Sequence, residues 1–171
     1  MPDLLAHYLV SYLIARTIVE PRYALIIAFV GLFPDVDALL GVHRWVTHSV
    51  LVAFLASASL LVLACLSGGR YVRVVLLSLL LYTLHIVLDV FTGPTPILWP
   101  LAPAIGVSLK VNGVSSVDGI LIAPSFNVTV EPVDFTWREV VEGPIVSEVG
   151  LILVVLTVTL LVVERAGRRL K

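Results

Sequence analysis

The sequence predicts an all-α membrane protein: a bundle of about five transmembrane or half-spanning helices with a small extracytoplasmic β-rich cap. Three observations lead there. Of the 171 residues, 59% are hydrophobic and only 13% charged, where a soluble domain carries roughly a quarter charged residues. Apolar runs recur along the chain at lengths near the roughly 20 residues that a helix needs to cross a bilayer. One long connection leaves this pattern and alternates as strands do.

The first run, Leu4 to Val19, lies in a start, "MPDLLAHYLVSYLIARTIVEPR", that lacks the charged opening and small-residue cleavage site of a signal peptide. It reads as a retained membrane helix. Glu20-Pro21-Arg22 ends it and begins the next, because proline is tolerated in a first helical turn and not in the interior. The run from Tyr23 to Phe33 would cover only about 17 Å at 1.5 Å per residue, so it is a half-crossing or is lengthened by its polar flanks. Ser49 to Leu66 and Tyr71 to Phe91 qualify as spans, and Val149 to Val163 is slightly short but uninterrupted. Between the last two lies "GPTPILWPLAP", then the alternating "VSLKVNGVSSVDGILIAP" and "FNVTVEP". Asn112-Gly113 is a hairpin-turn signal, and Asp118 reads as part of a turn with Gly119. A hairpin or three-stranded cap is expected. The chain thus divides into a helical membrane core carrying the polar site (1–92), an extracytoplasmic loop or β cap (93–147), and a last helix with a basic tail (148–171).

Net charge is −1, and no basic patch with interleaved aromatics appears, which sets nucleic-acid binding aside. The lone Cys65, inside an apolar run, excludes an internal disulfide and a zinc ribbon. Orientation follows from the arginines. If the segments alternate, Arg16, Arg22, Arg70, Arg73, Arg165, Arg168, Arg169 and Lys171 fall on one side, and only Arg44, Lys110 and Arg138 on the other. The positive-inside rule then places the C-terminus in the cytoplasm.

That topology gathers the polar groups. His7, Asp35, Asp37, His43, His48, His85 and Asp89 all come to the outer face, including all 4 histidines of the chain. Ionisable residues at membrane depth are costly and point to function. His85 and Asp89, in "HIVLD", are four apart and share one helix face. Pro34 and Gly41 argue for a turn around Asp35 and Asp37, from which both carboxylates face one point. Thr47 is placed to cap the third helix, sending the His48 imidazole into the same vestibule. Imidazole plus carboxylate without thiolate suits zinc, manganese, iron or nickel. Seven groups would serve two metals, or one metal with an acid/base and an anion clamp, for which Arg44 is the natural residue. The bland alternatives are a satisfied core histidine and a structural His–Asp pair.

These residues fall in "PDVD" (34–37), "HRWVTHS" (43–49), "HIVLDVFT" (85–92) and "WP" (99–100), with "AHY" supplying an early histidine. In that order and spacing, residues 1 to 100 resemble the inner-membrane metal-dependent hydrolases of the YdjM type. The resemblance implies a functional set of Asp35, Asp37, His43, His48, His85 and Asp89. Trp45, where the family often has glycine, and the displaced "GPTP" alter the entrance more than the ligands. The expectation is therefore an integral cell-membrane hydrolase whose site faces outside. His7, Asp35, His48, His85 and Asp89 would hold a divalent metal, zinc or else manganese, while Asp37, His43 and Arg44 serve catalysis. Its partners would be the lipid bilayer and a lipid-like or phosphoester substrate. The rival readings are a non-catalytic metal-binding protein or small transporter, and a structural membrane protein.

Overall fold

The computed structural model describes residues 3–116, 119–140 and 143–169. Helix α1 (Leu4–Ile18) starts on Asp3, whose carboxylate accepts from the backbone N–H groups of Leu5 and Ala6. Two of the orphan donors of a helix N-terminus are satisfied that way. Pro21 then takes the first position of α2 (Pro21–Ile27), as its fixed φ allows.

Helix α2 does not stop near Phe33. It continues directly as a 3-10 helix, Ala28–Leu40, and Pro21–Leu40 forms a 20-residue apolar segment. Asp35 and Asp37 therefore lie on a helix, not in the expected turn. Helix α3 (Val50–Leu66) is capped by Ser49, whose Oγ accepts from Val52 N; Thr47, the expected cap, is used elsewhere. Helix α4 covers Val72–Val90. Helix α5 runs from Glu148 to Arg169, beyond the expected Val163, because the Glu, Arg and Ala that follow are good helix formers.

Three segments are long and apolar enough to cross a membrane: Pro21–Leu40, Val72–Val90 and Glu148–Arg168. The apolar helices α1 and α3 are shorter. Ser49 to Leu66, expected as a span, yields a 17-residue helix, while the second segment, expected as a half-crossing or as lengthened by its polar flanks, takes the second course. Five equal crossings are not what these lengths give.

The cap is a two-stranded antiparallel hairpin, β1 (Ala104–Ser116) with β2 (Gly119–Glu131), Ala104 opposite Glu131. No third strand joins it among the described residues. Asn112 and Gly113 lie inside the ladder, opposite Ala123 and Ile122, and the chain reverses between Ser116 and Gly119. The observed register sets Ile105, Val107 and Leu109 against Val130, Val128 and Phe126. A turn at Asn112-Gly113 would instead have set Leu109 against Ser116, and side-chain alternation selects the register that keeps apolar residues together. Asp118 and Lys171 lie outside the described residues.

Tyr12, Ala15, Ala24, Ala28, Leu77 and Leu81 make the buried core. Its small residues let α1, the 3-10 segment and α4 approach closely. Helix α3 packs on α4, and α5 packs on α1. Outward side chains such as Phe29, Leu55, Leu63, Val155 and Leu156 are more than half exposed. Such a surface suits hydrocarbon rather than water.

Candidate metal centre

Four elements deliver the polar groups to one point: α1 (His7), the 3-10 segment (Asp35, Asp37), the short 3-10 turn Val46–His48, and α4 (His85, Asp89). On a 3-10 helix successive residues turn by about 120°, so Asp35 and Asp37 diverge. They reach the same imidazole from opposite sides. Asp37 Oδ2 lies 2.9 Å from His48 Nδ1, and Asp35 Oδ1 lies 3.5 Å from His48 Nε2.

The proton positions follow. Asp37 Oδ2 also accepts from Trp45 N (2.7 Å) and Thr47 Oγ1 (2.8 Å), so this oxygen is saturated and His48 donates to it through Nδ1. His85 donates through Nδ1 to the carbonyl of Gly31, 2.6 Å away, because a carbonyl can only accept. The same Gly31 lets α1 pack closely against the 3-10 segment, since a Cβ there would run into the Ser11 side chain. In both histidines Nε2 is left facing the cluster.

Around that point, His48 Nε2 is 3.3 Å from Asp89 Oδ2. His85 Nε2 is 3.5 Å from Asp35 Oδ1 and 3.8 Å from Asp89 Oδ1. A tetrahedral ion with arms of about 2.0–2.1 Å separates its ligands by roughly 3.3 Å. The donor atoms of Asp35, His48, His85 and Asp89, all buried, lie within 4.8 Å of one another and could hold a metal ion. Both oxygens of Asp35, both of Asp89, and Nε2 of His48 and of His85 have no hydrogen-bond partner. Buried carboxylates and imidazoles left so are costly unless a cation satisfies them. The donor set therefore fits a divalent ion.

The electrostatics agree. Burial pushes the His48 imidazole down, but the carboxylates of Asp35, Asp37 and Asp89 outweigh it and raise it to about 10. The pocket favours positive charge, whether a proton or a metal supplies it.

The remaining expected residues surround this centre. His7 Nε2 stands 3.3 Å from Asp89 Oδ1, and its ring stacks on His85 with centroids 4.1 Å apart. It lies beside the four-residue group, not in it. His43 Nδ1 is 4.0 Å from Asp37 Oδ1. An overlapping group of Asp35, Asp37, His43 and His48 also brings donor atoms within 4.8 Å, although Asp37 and His48 already bond each other. Arg44 has a left-handed backbone (φ 57°), a conformation that costs a non-glycine residue energy and collects at functional sites. Its guanidinium donates to Pro94 O (3.0 Å) and Thr92 Oγ1 (2.6 Å), and its Nε is 3.4 Å from Asp89 Oδ2. His43 and Arg44 also line a polar cavity of about 340 Å³ together with Glu131, Asp134 and Arg138 from the cap side.

Several supporting residues were not anticipated. Thr47 bonds Asp37, Thr92 holds Arg44 and donates to Asp89 O (2.9 Å), and the Tyr82 hydroxyl donates to Thr47 O. Ser49 Oγ donates to Trp99 O (2.7 Å), joining "HRWVTHS" to "WP". Thr47, Ser49 and Thr92 stand within those motifs, which was the available signal; Tyr82 carried none.

The family described as YdjM inner membrane protein matches residues 3–167. That is nearly the whole chain, including the cap and last helix beyond the residues on which the motifs lie. No curated protein and no solved structure matches.

Proposed function

The chain belongs to the YdjM inner membrane protein family, and from that premise we propose that it is a metal-dependent hydrolase of the membrane. Its substrate would be a phosphoester or other ester of a lipid-like molecule. The observation that carries this reading is the set of buried, unpartnered donors of Asp35, His48, His85 and Asp89 at ligand-to-ligand distances. A divalent ion bound there, zinc or else manganese, would lower the pKa of a water molecule to about 7 and polarise an ester oxygen.

The chain's own residues have separable tasks. Gly31 O fixes the tautomer of His85, and Asp37 fixes that of His48, as carboxylates and carbonyls do behind ligating histidines. Asp37 acts through His48 in this reading, because its Oδ2 already takes three hydrogen bonds. Neither ring nitrogen of His43 has a hydrogen-bond partner, and His43 sits between the centre and the polar cavity. It is the group to take a proton from the attacking water and return it to the leaving oxygen. Arg44, reaching from that cavity to Asp89, would steady an anionic group. The arginines at the other end support a site facing outside: Arg16 pairs with Glu164 and shares a cavity with Arg165 and Arg168.

One observation favours a second reading. Four protein donors can complete a tetrahedral ion, as structural sites do, which would make this a non-catalytic metal-binding protein. Transport is less well supported, since the core next to the centre, Tyr12, Ala15, Leu77 and Leu81, is apolar.

Metal content by mass spectrometry tests the proposal, with detergent-purified wild type beside His48→Ala and His85→Ala. Stoichiometric metal in wild type, lost in both folded variants, is expected, followed by hydrolysis in a screen of phosphoesters and lipid esters. A folded wild type that takes up neither zinc nor manganese overturns it. Bound metal with no hydrolysis across the screen selects the second reading.

A further inference from the structure

Two walls of the bundle part beside the metal centre. Helix α5 packs along α1 and is tied to it at both ends. At one end Asp3 Oδ2 accepts from Ser147 N and Ser147 Oγ, each at 2.7 Å; at the other Arg16 pairs with Glu164. Gly150 permits the first tie, because a Cβ there would lie 2.0 Å from Asp3 Oδ2. Between α4 and α5 a slot of about 390 Å³ remains, within the roughly 300–1,000 Å³ range of small-molecule sites.

Its chemistry is divided. Val10, Leu88, Phe91 and Leu153 line it with hydrocarbon, while Asp3, His7, Thr92 and Ser147 supply polar groups, of which Asp3 and Ser147 already bond each other. His7 is 4% exposed, its Nε2 touches Asp89, and its Nδ1 has no hydrogen-bond partner. A buried imidazole left half-satisfied at the wall of an apolar slot calls for a polar atom from a ligand. Two of the slot's three walls, α4 and α5, are segments long and apolar enough to cross a membrane. The ligand available there in quantity is a lipid, with the slot for its hydrocarbon and His7 for the first polar atoms.

We propose that the slot between α1, α4 and α5 binds the hydrocarbon chain of an amphiphilic substrate, whose ester or phosphoester end meets His7 beside Asp89. This rests on the hydrolase reading above and specifies its substrate class: a bilayer lipid approaching sideways from the membrane. Another apolar cavity, about 460 Å³ and lined by Ala56, Leu60 and Tyr82 among others, holds no histidine or aspartate of the cluster and meets it only through Thr47. The slot holds His7, which touches Asp89.

The test is a chain-length series. Zinc-loaded protein in amphipol is titrated calorimetrically with inorganic phosphate and with ethyl to decyl phosphate below their micelle concentrations. Affinity is expected to rise roughly fourfold per added methylene, the transfer value for a buried CH₂. Val10→Trp on α1 and Leu153→Trp on α5, which fill the slot from two different walls, should flatten that rise to under twofold and leave inorganic phosphate binding and zinc content unchanged. Ala56→Trp, filling the other cavity, should keep the full rise. An undiminished rise in both slot variants overturns the proposal, as does a rise lost only in Ala56→Trp. No phosphate binding to a protein that fails to load zinc defeats the hydrolase reading, and the slot with it. Phosphate binding with the wrong chain-length pattern defeats the slot alone.

Discussion

Asp35 and Asp37 grip His48 from opposite sides, one at Nε2 and one at Nδ1. The sequence alone assigns Asp35 to the metal and Asp37 to catalysis; in the proposed reading Asp37 acts through His48 instead. Asp35 has two unpartnered oxygens and Asp37 one saturated oxygen, so substitutions at the two should separate. Asp37→Asn is expected to keep the fold and weaken metal affinity about 10- to 100-fold, the usual cost of losing a group that orients a ligating histidine. Asp35→Asn should abolish stoichiometric binding; a competition titration against a chromogenic chelator distinguishes them. The pH dependence has a defined sign. Without metal the His48 imidazole, raised to about 10, holds its proton at neutral pH, and a metal must displace it. Apparent affinity should therefore climb between pH 6 and 8, by about tenfold per unit for each proton released. A flat profile would show that His48 is not a ligand. The residue types of the cluster were legible in the sequence because ionisable groups among apolar runs are costly and stand out. Tautomers were not, since they depend on Gly31 O and on Trp45 N, backbone atoms that any residue could supply.

At the level of elements, the boundaries set by local chemistry were legible and those set by partners were not. Pro21 begins α2 as expected, because its ring constrains the chain wherever it stands. Thr47 and Ser49 are both competent caps. Ser49 takes the task, and Asp37 claims the Thr47 hydroxyl. Asn112-Gly113 carries good turn chemistry, yet the cross-strand pairing of ten or more residues outweighs one dipeptide. The tie between Asp3 and Ser147 joins residues 144 positions apart, beyond any local signal. Burial pushes the Asp3 carboxyl up, but hydrogen bonds from Ser147, Ala6 and Leu5 outweigh it and hold its pKa below the usual 3.8. Its stabilising contribution is thus complete above that value and fades only as pH falls through the lower folded one. Asp3→Ala removes the α1 cap and the α5 tie together. It should cost about 1–3 kcal/mol, seen as faster hydrogen exchange at the start of α5; exchange unchanged there would mean that packing on α1 alone holds α5.

For the whole molecule, the same buried carboxylates that suit a cation, without hydrogen-bond partners of their own, are a burden without one. Saturating metal should raise thermal stability, by about 2.7 kcal/mol when free ion is 100-fold above Kd. A chelator should reverse the gain in wild type and do nothing in His85→Ala; a wild type indifferent to chelator would mean that the cluster holds itself together. Composition made membrane residence plain, and the family match now extends it over residues 3–167. How many helices cross was not legible, because hydropathy cannot foresee that a segment winds as a 3-10 helix. That winding carries a further consequence. At about 120° and 2.0 Å per residue, the stretch Ala28–Leu40 keeps phase in threes. Deleting one residue just before Asp35 would swing both carboxylates a third of a turn, away from His48. Deleting three would restore their bearing but shift them about 6 Å along the axis. Outward side chains on this segment, such as Phe29, Phe33 and Leu39, can be exchanged without touching the cluster, but its length is locked.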